Sequence, residues 1–214
     1  MAAVRLMEVN MIDKESQNAL AYFIEVAKEE YDEFIKTLKV ESYEKAVELI
    51  LDAEKKGNRL HITGIGKPGH VANYIASLLS STGTPTYFLH GTEAVHGSCG
   101  QLVPGDVVIC ISNSGETIEL KSTVKAIKNN GCKVISVTGN PDSWLAKQGD
   151  TFIYAGIKEE GDTLNRAPRT SILAEILVLQ GLSIVLQSIR GITPQEYVKW
   201  HPGGTLGKLR ENEN

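Results

Sequence analysis

Cysteine is scarce in this chain, and the few that occur form no recognisable pattern. The 214 residues contain three cysteines, at Cys99, Cys110 and Cys132. Their number is odd and their spacing matches neither a disulfide framework nor paired zinc ligands. The histidines also lack the spacing of a zinc site. We therefore expect reduced thiols, as in a cytoplasmic protein, and no bound metal.

The chain also lacks features of secreted, membrane-spanning and nucleic-acid-binding proteins. Its first residues do not form the apolar core of a signal peptide. The most apolar stretch, residues 172–189, is interrupted by Glu175, Gln180 and Gln187, so we expect no membrane span. The net charge is −4 and the lysines are scattered. Nucleic acid is therefore not expected as a partner.

The first forty residues are predicted to be helical. Apolar residues recur at alternating steps of four and three, which is typical of one helix face; they are Leu20, Ile24, Ala27, Tyr31, Phe34 and Leu38. This face either packs on its own domain or contacts another subunit. A second helix follows, with Ser42 predicted as its N-terminal cap and Gly57 as its end.

Beyond Arg59, short apolar strands alternate with helical segments. Strands are predicted at 60–64, 86–90, 107–112, 134–138 and 151–155, with helices at 71–81, 118–130, near 144 and at 170–190. This alternation predicts an α/β fold, with a five-stranded parallel sheet between two layers of helices. The last helix is apolar nearly all round, so we expect it to be buried, within the domain or between subunits. Ligands bind such sheets at the carboxyl ends of the strands.

The third predicted strand runs into a turn rich in hydroxyl groups. Ser112, Ser114 and Thr117 surround Gly115, and a helix follows. Hydroxyls, free backbone N–H groups and a helix N-terminus together favour the binding of an anion, and we expect a phosphate. Serine and glycine also form ordinary turns. Glu116 lies in the same turn, either as a catalytic carboxylate or as a cap for the following helix.

Three further segments carry candidate residues. Lys67 lies in the glycine-rich turn after the first strand, which matches neither the dinucleotide fingerprint nor the Walker motif. His96 lies in a glycine-rich loop after the second strand, and His201 precedes two glycines near the end of the sequence. Each histidine is either a general acid or base or an ordinary surface residue. His70 and His90 lie within or beside predicted elements, and neither is assigned a role.

Taken together, these segments resemble the SIS (sugar isomerase) domain family. The matching stretches are GIGKPGH (64–70), STGTP (81–85), EAVHG (93–97), SNSGET (112–117) and HPGGTLG (201–207). The serine-rich turn alone indicates only an SIS domain. Lys67, the His96-Gly97 pair and the His201 segment narrow the resemblance to the arabinose-5-phosphate isomerases. It implies a flavodoxin-like αβα sandwich over residues 42–209, with an N-terminal helical arm over 1–41 and a tail over 210–214.

The resemblance implies a cofactor-independent isomerisation of arabinose 5-phosphate to ribulose 5-phosphate through an enediol. Catalytic positions would fall on Lys67, His96, Glu116 and His201, and substrate contacts on Gly66, Ser112, Asn113, Ser114 and Thr117. We expect Glu116 and His201 to form the acid–base pair, His96 to assist ring opening or proton transfer, and Lys67 to stabilise the enediolate. A homotetramer with active sites shared between subunits is implied as well.

The sequence departs from the family pattern at several places. Ser98 stands where members often have aspartate, and Arg166 and Arg169 replace small neutral residues, which indicates a changed pocket or a subunit contact. Many members continue into CBS modules; this sequence ends soon after Gly207, either because the enzyme is short or because it is part of a longer chain. Two other functions are open: isomerisation of another sugar, such as a hexulose phosphate, and phosphosugar sensing without catalysis.

Overall fold

A five-stranded, fully parallel sheet forms the centre of the computed structural model, which describes residues 12–213. The strands are β1 (Leu60–Gly64), β2 (Thr86–Phe88), β3 (Val107–Ile111), β4 (Lys133–Thr138) and β5 (Thr151–Tyr154). Their spatial order is β2-β1-β3-β4-β5, with every neighbouring pair parallel. The predicted sheet is confirmed. β2 ends two residues earlier than expected, so that His90 lies in the loop that follows it.

Helices cover both faces of this sheet. They are α1 (Lys14–Thr37), α2 (Glu41–Lys55), α3 (Lys67–Ser81), α4 (Ile118–Asn129), α5 (Trp144–Gln148), α6 (Thr170–Arg190) and α7 (Pro194–Trp200). Apolar side chains of α2, α3 and α6 pack with Ile62, Ile109 and Ile135 on one face. Those of α4 and α5 pack with Val108 and Val134 on the other. Alternate residues of buried strands therefore serve two separate cores, and the three-layer αβα prediction is confirmed.

Two helices begin at places that the periodicity did not predict. The predicted cap Ser42 is wrong: α2 begins at Glu41, and its N-cap Val40 makes no side-chain hydrogen bond. α3 begins at Lys67 rather than at 71, because Gly66 turns the chain at φ 64° and Pro68 fits the first helical turn. This earlier start puts Lys67 at a helix N-terminus.

The N-terminal helix is anchored mainly through its second half. In α1, Phe34 is buried in the core, whereas Leu20 and Ile24 are 57% and 58% exposed. The Glu30 carboxylate accepts hydrogen bonds from two backbone N–H groups of the loop after β5. The prediction of helix for the first forty residues also covers residues 1–11, which lie outside the described residues. The apolar stripe of α1 is therefore only partly used within one chain.

The long helix α6 is buried on one side only. It is apolar and long enough to cross a membrane by length and composition. Ala174, Val178 and Leu182 are nevertheless packed in the core of the sheet domain. Leu173 and Ile184 are exposed, the latter at 65%. The expected burial is thus incomplete within one protomer.

Candidate functional site

The strand order creates a crevice where the chain changes direction across the sheet. β1 has β2 on one side and β3 on the other, and Gly64 at the end of β1 pairs with Ile111 at the end of β3. β1 and β3 are neighbours, but the helices that follow them, α3 and α4, cover opposite faces of the sheet. The loops that leave these two strands therefore turn away from each other. Ligands of open α/β sheets bind at such a point. The turn that carries Lys67 and the Ser112–Thr117 turn are the two loops concerned.

The Ser112–Thr117 turn is held closed by its own hydroxyl groups. Ser112 Oγ lies 3.1 Å from Thr117 Oγ1 and accepts the Gly115 N–H at 3.2 Å. The Glu116 N–H donates to Ser114 Oγ at 3.2 Å. Gly115 has φ 66°, and a Cβ there would lie 2.2 Å from Ser143 Oγ. Glycine is therefore required at the centre of the turn.

This turn leads into the N-terminus of α4. Thr117 is the N-cap residue but makes no capping hydrogen bond through its side chain. The first N–H groups of a helix have no intrahelical acceptor, and their partial positive charge favours an anion. The Asn113 carbonyl accepts hydrogen bonds from Thr138 Oγ1 and the Gly139 N–H, which fixes the turn on the end of β4. The arrangement has the donors and the rigidity of a phosphate site.

Glu116 is bound to two groups outside the turn. One carboxylate oxygen accepts the Trp144 N–H at 2.7 Å, and the other pairs with Lys121 Nζ. Lys121 and then the Trp144 N–H hold the pKa of Glu116 below its usual value. Glu116 therefore caps α5 and not α4, the helix that the sequence suggested. Its carboxylate is ionised at neutral pH, as a general base requires.

Lys67 and Gly66 lie beside this turn, across the crevice. Both are exposed, and Lys67 is the first residue of α3. Lys67 lines a cavity of ≈ 310 Å³ between α3 and α6, together with Tyr74 and Ile172. Its ammonium group adds positive charge near the carboxyl edge of the sheet, on the face that α3 and α6 cover.

His96 lies at the same edge, in the loop that leaves β2. It ends a short 3₁₀ helix, Glu93–His96, and is exposed. The loop is tied to α4 by a hydrogen bond of 2.5 Å from Thr123 Oγ1 to the Gly91 carbonyl. Ser98 starts the next 3₁₀ turn. The structure thus brings Lys67, His96 and Glu116 to one edge of the sheet.

His201 lies at the opposite edge. Its ring stacks on Tyr197 with centroids 3.9 Å apart, and its Nδ1 donates to the Tyr197 carbonyl at 2.8 Å. The adjacent Trp200 packs at Gly83, in the loop that enters β2 at the amino-terminal edge. A strand of five residues separates the two edges by ~16 Å. The structure therefore does not bring His201 to Glu116 within one chain.

The two arginines that depart from the family pattern have different surroundings. Arg169 pairs with Asp162, and its backbone N–H donates to the buried Glu160 carboxylate at 2.6 Å. It therefore stabilises its own loop. Arg166 is exposed in that loop. Across residues 12–213, His, Cys, Asp and Glu side chains form no group of three that could hold a metal ion.

Residues to which the sequence analysis assigned no role line a cavity of ≈ 370 Å³ at this edge. They include His70 and Asn73 on α3 and His90 after β2. The only signal in the sequence was the position of His90 at the end of a predicted strand. That position points to a site in a parallel sheet.

The sequence is similar to the SIS domain family and to proteins named arabinose 5-phosphate isomerase. The model of the SIS domain family matches residues 54–184. Arabinose 5-phosphate isomerase KdsD of Pseudomonas aeruginosa is 40% identical over 168 residues, which are 78% of this chain and 51% of that protein. Arabinose 5-phosphate isomerase KpsF of Escherichia coli O6:H1 is 38% identical over 166 residues, 78% of this chain and 50% of that protein.

The chain spans about half the length of the curated relatives it matches. A solved structure that matches over its whole length is E. coli CFT073 c3406 in complex with arabinose 5-phosphate. It has a TM-score of 0.81 and 31% sequence identity, with 90% of this chain and 100% of that chain covered. The SIS-type fold expected from the sequence is confirmed by this match.

Proposed function

Because this chain belongs to the SIS domain family, we propose that it is an aldose–ketose isomerase that converts arabinose 5-phosphate to ribulose 5-phosphate. The observation that carries the proposal is the Ser112–Thr117 turn, in which hydroxyl groups suited to a phosphate and an ionised carboxylate occupy adjacent positions. The similarity to a protein solved with arabinose 5-phosphate, over all of that chain, supports the choice of sugar phosphate.

In the proposed reaction, the phosphate binds to Ser112, Ser114 and Thr117 at the N-terminus of α4, with Gly66 and Asn113 as further substrate contacts. Isomerisation moves a proton between C2 and C1 and a second proton between their oxygens. The anchored phosphate puts the carbon chain beside Glu116, whose ionised carboxylate takes the proton from carbon.

Two other groups act on the oxygens. The Lys67 ammonium stabilises the negative charge of the enediolate, and His96 assists ring opening and proton transfer to oxygen. Both residues are exposed, so their side chains are open to a substrate. Acid–base chemistry of this kind next to a carbonyl needs no cofactor.

We propose that His201 completes the site of a neighbouring subunit. In its own chain it lies at the amino-terminal edge of the sheet, and exposed apolar residues of α1 and α6 offer surfaces for assembly. A homotetramer in the cytoplasm is the arrangement we propose. The three buried, unpaired cysteines are consistent with a reducing compartment.

The isomerase proposal is tested by an aldose–ketose conversion assay over pentose and hexose phosphates. We expect turnover of arabinose 5-phosphate, and a Glu116→Gln variant that binds the sugar phosphate but converts it at least ~100-fold more slowly. Turnover of a hexulose phosphate alone would show that the enzyme is an isomerase of a different sugar phosphate. Binding without turnover of any sugar would favour a sensor, and near-normal turnover by Glu116→Gln would exclude Glu116 as the base.

Shared sites are tested by mixing two inactive variants. Lys67→Ala and His201→Ala are refolded together, each alone serving as its control. If His201 acts in the neighbouring subunit, a site is active when Lys67 comes from a His201→Ala subunit and His201 comes from a Lys67→Ala neighbour. At equal mixing ~25% of the sites have this composition, so ~25% of wild-type activity returns. No recovery, with mixed oligomers shown by native mass spectrometry, would place both residues in one chain's site.

A further inference from the structure

The cavity of ≈ 370 Å³ at the ends of β1 and β2 is walled largely by backbone. A Cβ on Gly64 would lie 2.7 Å from the Pro68 carbonyl carbon, and a Cβ on Gly91 would lie 2.9 Å from the Gly64 carbonyl oxygen. Side chains are therefore sterically excluded at both glycines. The cavity adjoins the turn that carries Lys67, and so it continues the crevice of the proposed active site.

The ring of His90 lines this cavity and is held through one of its two nitrogens. Its Nδ1 accepts the Glu93 N–H at 3.3 Å and lies 3.1 Å from Thr92 Oγ1. A backbone N–H can only donate, so Nδ1 carries the lone pair and the ring proton is on Nε2. Phe88 packs edge-on against the ring, with centroids 6.1 Å apart. Within the described chain, Nε2 has no hydrogen-bond partner, and His90 lines the cavity.

The remaining polar side chains of the cavity are suited to hydroxyl groups. His70 and Asn73 project from α3, and Thr92 from the loop after β2. Among the described residues, no aspartate, glutamate, lysine or arginine lines it. Neutral donors and acceptors recognise the hydroxyls of a carbon chain, whereas a phosphate is better held by the serine turn and the helix N-terminus.

The distance between the carboxyl ends of β2 and β3 fits the distance between the phosphate and the hydroxyl-bearing carbons of one sugar phosphate. β2 and β3 lie on either side of β1, so their carboxyl ends are ~10 Å apart. An open-chain pentose phosphate covers such a distance. With its phosphate on the turn after β3, next to Glu116, the carbon chain lies over the end of β1 and turns its hydroxyl groups towards the loop after β2.

We infer that this cavity binds the hydroxyl-bearing carbon chain of the sugar phosphate, and that His90 donates a hydrogen bond from Nε2 to a substrate oxygen there. The inference rests on the proposed function and deepens it. It assigns the phosphate and the carbon chain to different strands. It also gives His90 a direct contact with the substrate, through an imidazole that acts as a donor.

A matched pair of variants tests this. His90→Asn keeps a polar group near Nδ1 but removes the Nε2 donor, whereas His90→Gln keeps a donor near Nε2. Binding of a linear pentitol 5-phosphate and of inorganic phosphate is measured by titration calorimetry on the full chain. We expect His90→Asn to weaken the binding of the pentitol phosphate by about tenfold or more and to leave the binding of inorganic phosphate unchanged. We expect His90→Gln to keep most of the wild-type affinity for the pentitol phosphate.

Equal weakening of both ligands, or of neither, by His90→Asn would overturn the inference, and so would a wild type that binds pentitol phosphate no more tightly than inorganic phosphate. Thermal unfolding of both variants shows whether the fold is intact. Because these measurements need no turnover, they are independent of the conversion assay. A wild type that fails in that assay contradicts the isomerase proposal, while the binding data still decide the role of the cavity.

Discussion

Replacing Glu175 by glutamine is expected to change the pH dependence of stability. Glu175 lies on α6, is 0% exposed, and neither of its carboxyl oxygens has a hydrogen-bond partner in the described structure. Burial, and then the nearby Glu160 carboxylate, raise the pKa of Glu175 to about 8. An uncompensated buried charge is so costly that the group stays protonated at neutral pH. Glutamine has the same shape and cannot ionise.

The size of the effect follows from the difference in proton affinity between the folded and unfolded states. Below pH 4.5 the carboxyl group is protonated in both states and does not affect stability. Between pH 4.5 and about 8 only the unfolded chain loses the proton, so the free energy of unfolding falls as the pH rises. At ~1.4 kcal/mol for each tenfold change in proton affinity, the loss reaches up to ~5 kcal/mol above pH 8.

The assay is urea unfolding of wild type and Glu175→Gln from pH 4.5 to 8.5, at one protein concentration because oligomer dissociation contributes to stability. The variant is expected to match the wild type at pH 4.5 and to become progressively more stable than it towards pH 8.5. Glu25→Gln, at an exposed position of α1, serves as the control and should follow the wild type. A constant difference between wild type and Glu175→Gln across this range would refute the reasoning.

Two further predictions concern the serine turn. Gly115→Ala combines a left-handed backbone with a contact of 2.2 Å to Ser143 Oγ, so we expect a loss of ~2–5 kcal/mol in urea unfolding and lower turnover. Gly57→Ala, at φ 79° in open space, should lower the free energy of unfolding by only ~1–2 kcal/mol. Equal losses in the two variants would show that the contact with Ser143 does not contribute. Lys121→Met removes the main cause of the lowered pKa of Glu116, so the acid limb of the kcat–pH profile should move to higher pH. If the acid limb does not move, Glu116 is not the group whose ionisation controls kcat.

The layers of the fold were predictable because they depend on local apolar patterns. Runs such as Val107–Ile111 are apolar at every position, which indicates burial on both faces. The first residues of the helices were not predictable in this way, because they depend on backbone angles. The start of α3 is set by the positive φ of Gly66 and the fit of Pro68, and an apolar stripe beginning at Val71 carries no information about either.

The serine turn was predictable for a similar reason, since its hydroxyls and carboxylate are neighbours in the sequence. The partners of Glu116 were not. The Trp144 N–H comes from 28 positions further along the chain and is brought there by the packing of α5 beside the turn. Nor did the sequence assign a role to His90, because the pattern does not show that its Nδ1 binds the loop backbone and leaves Nε2 free.

The position of His201 follows from lengths alone once the strand order is known. α6 begins after β5, at the carboxyl edge, and its 21 residues cover ~32 Å. The strand β3 has five residues and covers ~16 Å. The helix must therefore end beyond the amino-terminal edge, where Arg190 pairs with both carboxylate oxygens of Glu54 at 2.6 and 2.7 Å. α7 starts from that point, so a catalytic role for His201 and a monomeric enzyme are incompatible.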